Sequence, residues 1–184
     1  MKELSLNILD IAENSVKARA SLVTITLAEV ENKLTLTIED NGCGMKPDIL
    51  RGVIDPFYTT RTTRKVGLGI PLLKMAAEQT GGGVQIESWH ESEYPDRHGT
   101  VVTAVFYKDH IDFTPLGDVI STIVTLIQGS PQMDFVFEHR SETISVSLDT
   151  RELREVLGDE VPLNVPEVLH WIADNLREQY GNLL

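Results

Sequence analysis

Apolar residues recur at helical spacing over about residues 2–18, where Leu4, Ile8, Ile11, Ala12 and Ser15 form one face and Asn7, Asp10, Asn14 and Lys17 the other. The period then changes to two. Val23, Ile25 and Leu27, and again Leu34, Leu36 and Ile38, alternate with polar residues, and residues 29–33 between them predict a β-hairpin with a longer loop. A short helix is expected after Pro47, through Leu50. Helical spacing returns over residues 68–80, with Pro71 tolerated in the first turn and Gly81 as a C-cap. Two strands follow, at about residues 84–89 and 100–107. This order of helix, hairpin, helix and hairpin predicts an α+β fold, a two-layer α/β sandwich whose mixed or antiparallel sheet carries helices on one face. Beyond it, a helix (about 116–128), a hairpin (about 134–137 and 144–148) and a helix (about 166–180) read as a small α+β C-terminal module.

With 184 residues, 41% of them hydrophobic, the chain is long and apolar enough for a packed core. Its 16 Lys+Arg stand against 28 Asp+Glu, a net charge of −12, which disfavours nucleic acid and membrane surfaces because both are polyanions. The acidity is uneven. Residues 1–110 carry 12 basic and 15 acidic residues, whereas residues 111–184 carry 4 and 13. Nine of the 13 glycines also precede residue 110, and we place a boundary near 109–115, giving segments 1–109 and 110–184. The single cysteine, Cys43, leaves no intrachain disulfide and fits a reducing compartment. No uncharged apolar run is long enough to span a bilayer, and acids stand where a signal peptide needs an apolar stretch, so a soluble cytoplasmic protein is expected.

Three constellations carry chemistry. Asp40 continues the in-phase series Leu34, Leu36, Ile38, so its carboxylate aims at the face of the buried side chains. Burying an unpaired charge costs roughly several kcal/mol, so donors must meet it. The turn Asn41-Gly42-Cys43-Gly44-Met45 lets a ligand approach the backbone, and an exocyclic amine such as the N6 of adenine suits the carboxylate. An Asx turn capped by Asp40 accounts for the same residues. The second constellation runs from Thr59 to Ile70: the cations Arg61, Arg64 and Lys65 and four hydroxyls lead into Gly67-Leu68-Gly69, which opens a helix. Free N–H groups and the positive end of the dipole make such a start an anion site, suited to polyphosphate. A flexible basic loop is the plainer reading. The spacing is not that of a P-loop, and no strand precedes Gly67 as a dinucleotide fingerprint requires. The third is Asp10 and Asn14, stacked at i and i+4 with Lys17 one turn on. An amide oxygen suits Mg²⁺ beside phosphate oxygens, although a solvated helix face has the same composition.

Taken in order, Glu13-Asn14-Ser15 with Lys17, Asp40-x-Gly42-x-Gly44-Met45, Asp55-Pro56-Phe57-Tyr58-Thr59-Thr60, Gly67-Leu68-Gly69 and Gly99-Thr100 resemble the N, G1, F, G2 and final Gly-Thr boxes of the GHKL superfamily of histidine kinases, gyrase-type topoisomerases, large heat-shock chaperone ATPases and MutL. The resemblance covers about residues 4–107 and implies a Bergerat-type ATP-binding fold. It implies that Asp40 accepts the adenine amine with Thr100 nearby, that Gly42, Gly44 and Met45 shape the adenine pocket, that Asn14 holds Mg²⁺ and Lys17 a phosphate. Arg61, Arg64 and Lys65 would lie in a lid, and Gly67, Leu68, Gly69 and Ile70 would cradle the phosphates.

The short F-to-G2 interval with Thr-Thr-Arg is most similar to the histidine-kinase catalytic domain, and Glu-Asn-Ser to MutL. Two departures qualify the resemblance. Where hydrolytic members and the anti-sigma-factor serine kinases place a Glu as base, four residues before the metal-binding Asn, this chain has the shorter Asp10, and Glu13 points a quarter-turn or more away. No phosphoacceptor hairpin precedes the first helix, and His90 lacks the Thr or Asn that kinase acceptors place four residues on, so an acceptor is expected on another molecule. His98, His110, His139 and His170 show no metal-ligand spacing. The acidic segment, with Trp171 and Leu176 on one amphipathic helix, reads as a docking module or a packed subdomain with a solvated face. The expectation is an ATP- and Mg²⁺-binding protein of the histidine-kinase type that transfers the γ-phosphoryl group to a partner protein in trans, with Asp10 as catalytic base. A nucleotide-gated binding module and a slow ATPase are the alternatives, and a homodimer is compatible with each.

Overall fold

A computed structural model describes residues 3–54 and 67–181. Alternating apolar and β-branched residues build β1 (Leu22–Val30) and β2 (Lys33–Asp40). Their inward side chains Val23, Ile25, Leu27, Leu34, Leu36 and Ile38 are at most 2% exposed. The loop between them is tighter than expected: Val30 pairs with Lys33, and two residues close the turn, with Glu31 at φ 54°. Charged residues at 29–33 mark solvent-facing strand ends as well as a turn.

β3 (Gly83–Trp89), β4 (Gly99–Tyr107), β5 (Asp134–Arg140) and β6 (Ser145–Asp149) complete the sheet. Among the described residues there is one six-stranded mixed sheet in the order β3-β4-β2-β1-β5-β6, antiparallel throughout except for the parallel pair β1 and β5. The hairpin of residues 134–149 therefore continues the sheet built by the first 107. Phe135 and Phe137 on β5 are wholly buried in the same core as Leu4 and Ile25, and each such side chain contributes about 1.5–3 kcal/mol. The position at 109/110 falls in the connection between β4 and α4, and the elements on its two sides share a sheet and a core.

The helices α1 (Leu4–Lys17), α3 (Gly69–Gln79), α4 (Val119–Gly129) and α6 (Pro166–Gly181) pack as neighbours in the order α3-α1-α4-α6 over the apolar side of the sheet. The opposite side carries the half-exposed Thr24, Thr26, Thr35 and Thr37. The first N–H groups of α1, which lack intrahelical partners, are met by the connection before α4: Leu4 and Ser5 donate to the carbonyls of Pro115 and Leu116. α3 ends at Thr80, whose hydroxyl bonds Ala77 O and the Tyr107 N–H, and Gly81 follows at φ 84° as the left-handed residue that reverses the chain. α2 (Pro47–Ile54) is a turn longer than expected.

Two expectations fail. Asn7, assigned to the solvated face of α1, is 1% exposed, and neither amide atom has a hydrogen-bond partner. α3 and α4 flank α1 on both sides, which buries a wider arc than a helix lying alone on a sheet. A further helix, α5 (Thr150–Leu157), goes beyond the expected elements: it is two turns long, and its apolar stripe of Leu153, Val156 and Leu157 is only partly covered, Leu153 and Leu157 packing on the core while Val156 stays exposed. Its signals were its ends: Asp149 caps the Arg151 N–H and Gly158 stops the chain at φ 73°. At the end of β1 away from Asp40, a network joins the late elements to the sheet. Glu29 accepts from Lys108 Nζ at 2.5 Å and faces His139 Nε2 at 2.7 Å, and the other nitrogen of that buried ring lies 2.8 Å from the Tyr180 hydroxyl. Burial first, and the Glu29 charge second, push the Tyr180 hydroxyl well above its ordinary range.

Candidate functional site

Asp40 ends β2 opposite Val23 and Thr100. Its Oδ2 accepts from Ser15 Oγ on α1 at 2.7 Å and its Oδ1 from the Gly42 N–H at 2.8 Å. The carboxylate thus faces the helix layer, half-buried and met by two donors. A carboxylate has about four lone-pair sites, so each oxygen retains room for another donor. Ser15 is the partner that pattern reading missed. Its hydroxyl lies in the apolar stripe of α1, and a hydroxyl in that stripe opposite an in-phase carboxylate is the available signal.

The turn after Asp40 is tied down on all sides. The Asn41 Oδ1 accepts from the N–H groups of Ser21 and Leu22, and Cys43 donates to Ala18 O and accepts from the Glu91 N–H. His98 Nδ1 stands 2.5 Å from Gly42 O. At Gly44, φ is 70° and a Cβ would lie 1.9 Å from Trp89 O; at Gly99, φ is 141° and a Cβ would lie 1.9 Å from Asp40 O. Both glycines are required by backbone meeting backbone within the protein, which is a packing reason rather than ligand access. Ser88 Oγ accepts from the Met45 N–H at 2.8 Å and stands 2.8 Å from Thr100 Oγ1 and 3.1 Å from Gly99 O. Asp40, Gly42, Gly44, Met45 and Thr100 are therefore brought together at one end of the sheet, with Ser15, Asn41 and His98 in supporting roles that the sequence does not assign them, and with Ser88, which no motif marks.

The second pole is the start of α3. Gly67 and Leu68 are exposed, Gly69 and Ile70 buried. Leu68 at the N-cap makes no side-chain cap, the first turn has no acid, and Pro71 has no N–H to offer. Among the described residues no side chain caps the N–H groups of Gly69 and Ile70, which have the positive dipole end behind them. A Cβ on Gly69 would lie 3.1 Å from the Asp10 Cβ, so the missing side chain lets this helix start abut α1 at Asp10, with the half-buried Asn14 one turn on. Glu13 and Lys17 are exposed and instead border a 310 Å³ groove between α1 and α4. The described contacts bring neither of them to Gly69. Arg61, Arg64 and Lys65, and the stretch 55–60, lie outside the described residues.

The family model of the histidine kinase-, DNA gyrase B-, and HSP90-like ATPases matches residues 2–110. The chain belongs to this family. Its first 110 residues are an ATP-binding domain of the GHKL type. The signal transduction histidine-protein kinase AtoS of Escherichia coli is 31% identical over 88 residues, 48% of this chain and 14% of that protein. The sensor protein SrrB of Staphylococcus aureus is 33% identical over 93 residues, 48% of this chain and 16% of that protein. The chain thus spans about a sixth or less of the length of these curated relatives. The MutL ATPase domain of Aquifex aeolicus, solved with ADP, superposes with TM-score 0.55 at 14% identity over 85% of this chain and 69% of that one. The N-terminal domain of a DNA repair protein gives 0.55 at 13% identity over 81% and 52%. At such identities the likeness is one of fold, and at this coverage it extends beyond the family match.

Within this GHKL domain, the donor set suits a nucleotide with its cation. Among the described residues no group of three or more His, Cys, Asp or Glu side chains is placed to cage a metal. Asn14 offers one hard amide oxygen, which fits Mg²⁺, a cation that keeps several waters and takes the rest of its shell from phosphates. No helix of the described residues is long and apolar enough to cross a membrane.

Proposed function

We propose that the chain binds Mg²⁺-ATP between Asp40 and the start of α3 and passes the γ-phosphoryl group to a partner protein in trans. The observation that carries this reading is the close approach at Gly69, which sets Asp10 of α1, with Asn14 one turn on, beside a helix start that no side chain caps among the described residues. In this reading Asp40 accepts the adenine amine through a lone pair left over from Ser15 and Gly42, and Thr100, joined to Met45 through Ser88, borders the base. The amides of Gly69 and Ile70 take phosphate oxygens, the backbone at Gly67 and Leu68 leads in, and Arg61, Arg64 and Lys65, outside the described residues, supply cations for the phosphates. Asn14 holds the cation, and Lys17, based at the α1–α4 groove, would serve a phosphate only by extending its side chain past Asn14. Mg²⁺, when bound, neutralises phosphate charge. Phosphoryl transfer asks the protein for positioning and charge compensation more than for covalent steps. In this reading Asp10 takes a proton from an attacking hydroxyl. Leu68 is 72% exposed and nothing lies within 4 Å of a Cβ on Gly67, so among the described residues the phosphate end is open to an acceptor on another molecule.

The test is incubation with γ-labelled ATP, alone and with proteins that co-purify with the chain. Label on a partner, lost in Asp10→Asn, is the expected result. Free phosphate without labelled protein points to a slow ATPase instead, and nucleotide binding with neither product points to a nucleotide-gated binding module; either outcome removes the transfer reading.

A further inference from the structure

We propose that the groove at the free edge of β6, walled by α5 and α6 and three strands across the sheet from β2, is a docking site for a basic amphipathic segment of a partner protein. The groove has a volume of 390 Å³ and joins an apolar wall of Leu153, Val156 and Trp171 to the carboxylates of Glu138, Asp149 and Glu152. Val156 is 85% exposed and Trp171 52%, although Leu176 on the same helix is wholly buried. Tryptophan is the residue type most suited to anchor an interface. A free edge strand ordinarily invites strand addition. Here it is blocked at its centre: the Gln179 side chain accepts from the Ser147 N–H at 2.9 Å and donates to its carbonyl at 3.0 Å. A partner must therefore dock through side chains rather than by extending the sheet.

Charge selects the occupant. Residues 111–184 hold 13 acids and four arginines, and every one of those arginines is committed: Arg140 to Glu138 at 3.0 Å, Arg151 to Asp149 at 2.7 Å, Arg154 to Asp134 at 2.7 Å and Arg177 to Asp174 at 3.0 Å. Two of the groove's three carboxylates, Glu138 and Asp149, are thereby taken up by Arg140 and Arg151; Glu152 in the lining, and Glu155 beside it on α5, have no ion-pair partner among the described residues, so the cations that complete this surface come from the occupant. A second copy of the chain, with net charge −12, and an anionic bilayer or nucleic acid would each bring more negative charge to the same place. An apolar anchor for the Trp171 wall flanked by Lys or Arg satisfies both halves of the groove.

The test uses the full-length chain labelled with ¹⁵N and three synthetic helical peptides: one of Lys and Leu in an amphipathic pattern, one of Glu and Leu, and one of Lys and Ser. The Lys-Leu peptide is expected to shift the Trp171 indole N–H and the amides of α5 and β6, with an affinity that falls as salt is raised. Trp171→Ala with Val156→Ser, both at exposed positions, weakens it about tenfold or more, as does Glu152→Lys with Glu155→Lys. Glu31→Lys with Glu93→Lys, equal in charge but distant, leaves it within about twofold, and the other two peptides bind at least about tenfold more weakly. Absence of binding, shifts spread evenly over the surface, equal weakening by the distant pair, tight binding of either control peptide, or a dimer of the free chain held through this groove overturns the proposal. Unchanged ATP binding by each variant shows that the fold is intact.

Discussion

Replacing Asp40 by Asn tests the nucleotide reading with little change in shape. The carboxylate has two oxygens: one serves the Gly42 N–H at 2.8 Å and the other the Ser15 hydroxyl at 2.7 Å. Asn has one oxygen. Kept toward Gly42, it turns its NH₂ toward Ser15, whose hydroxyl can accept instead of donate, so the turn survives at a cost of about 1 kcal/mol as a charge-assisted bond becomes neutral. An adenine amine then meets a donor where it needs an acceptor. Flipping the amide serves the adenine and leaves the Gly42 N–H facing an NH₂ group. Either way one donor goes unmatched, and losing a hydrogen bond to a charged group costs about 1.5–3 kcal/mol, which weakens ATP roughly 10- to 100-fold. Isothermal calorimetry with Mg²⁺-ATP on wild type and Asp40→Asn measures this directly. The triphosphate of purine riboside, which lacks the amine, supplies the other arm of a double-perturbation cycle and is expected to bind both proteins within about threefold of each other. A folded Asp40→Asn protein that binds ATP within twofold of wild type would refute the role of Asp40.

Other expectations follow from single contacts. Gly99→Ala places a Cβ 1.9 Å from Asp40 O at φ 141°, so it destabilises by roughly 2–5 kcal/mol; a thermal midpoint equal to wild type contradicts that geometry. Asn7 buries an amide with no partner, so the near-isosteric Asn7→Leu stabilises by about 1–3 kcal/mol in urea unfolding, and a loss of stability means the amide is satisfied after all. Asp118 caps α4, and the Ser121 backbone N–H, then its hydroxyl, hold the carboxyl below its usual range. Its stabilisation is therefore present above the unfolded value near pH ~4 and fades as pH falls through the lower folded value. Asp118→Ala accordingly costs about 1 kcal/mol at pH 7, and its unfolding curve approaches wild type as the pH is lowered through the folded value; a gap that persists undiminished in acid counts against capping by the ionised form.

Local pattern determined much of this protein. The period-two runs made β1 and β2, the 3.6-residue period made α1 and α3, and the spaced Asn14, Asp40, Gly67-Leu68-Gly69 and Gly99-Thr100 pointed to the family, because each of these signals lies within a single element or its end. Neighbours were decided only in three dimensions. That β5 lies parallel to β1, so that residues 134–149 extend the first sheet, depends on pairing between strands over a hundred residues apart, which no local period encodes. The burial of Asn7 depends on two helices flanking α1, the choice of Asp10 over Glu13 at the start of α3 on a missing Cβ at Gly69, and the reason for Gly44 and Gly99 on carbonyls contributed by Trp89 and Asp40. Hydrophobic period sets which way a side chain faces. What it meets there is set by whichever element packs against it.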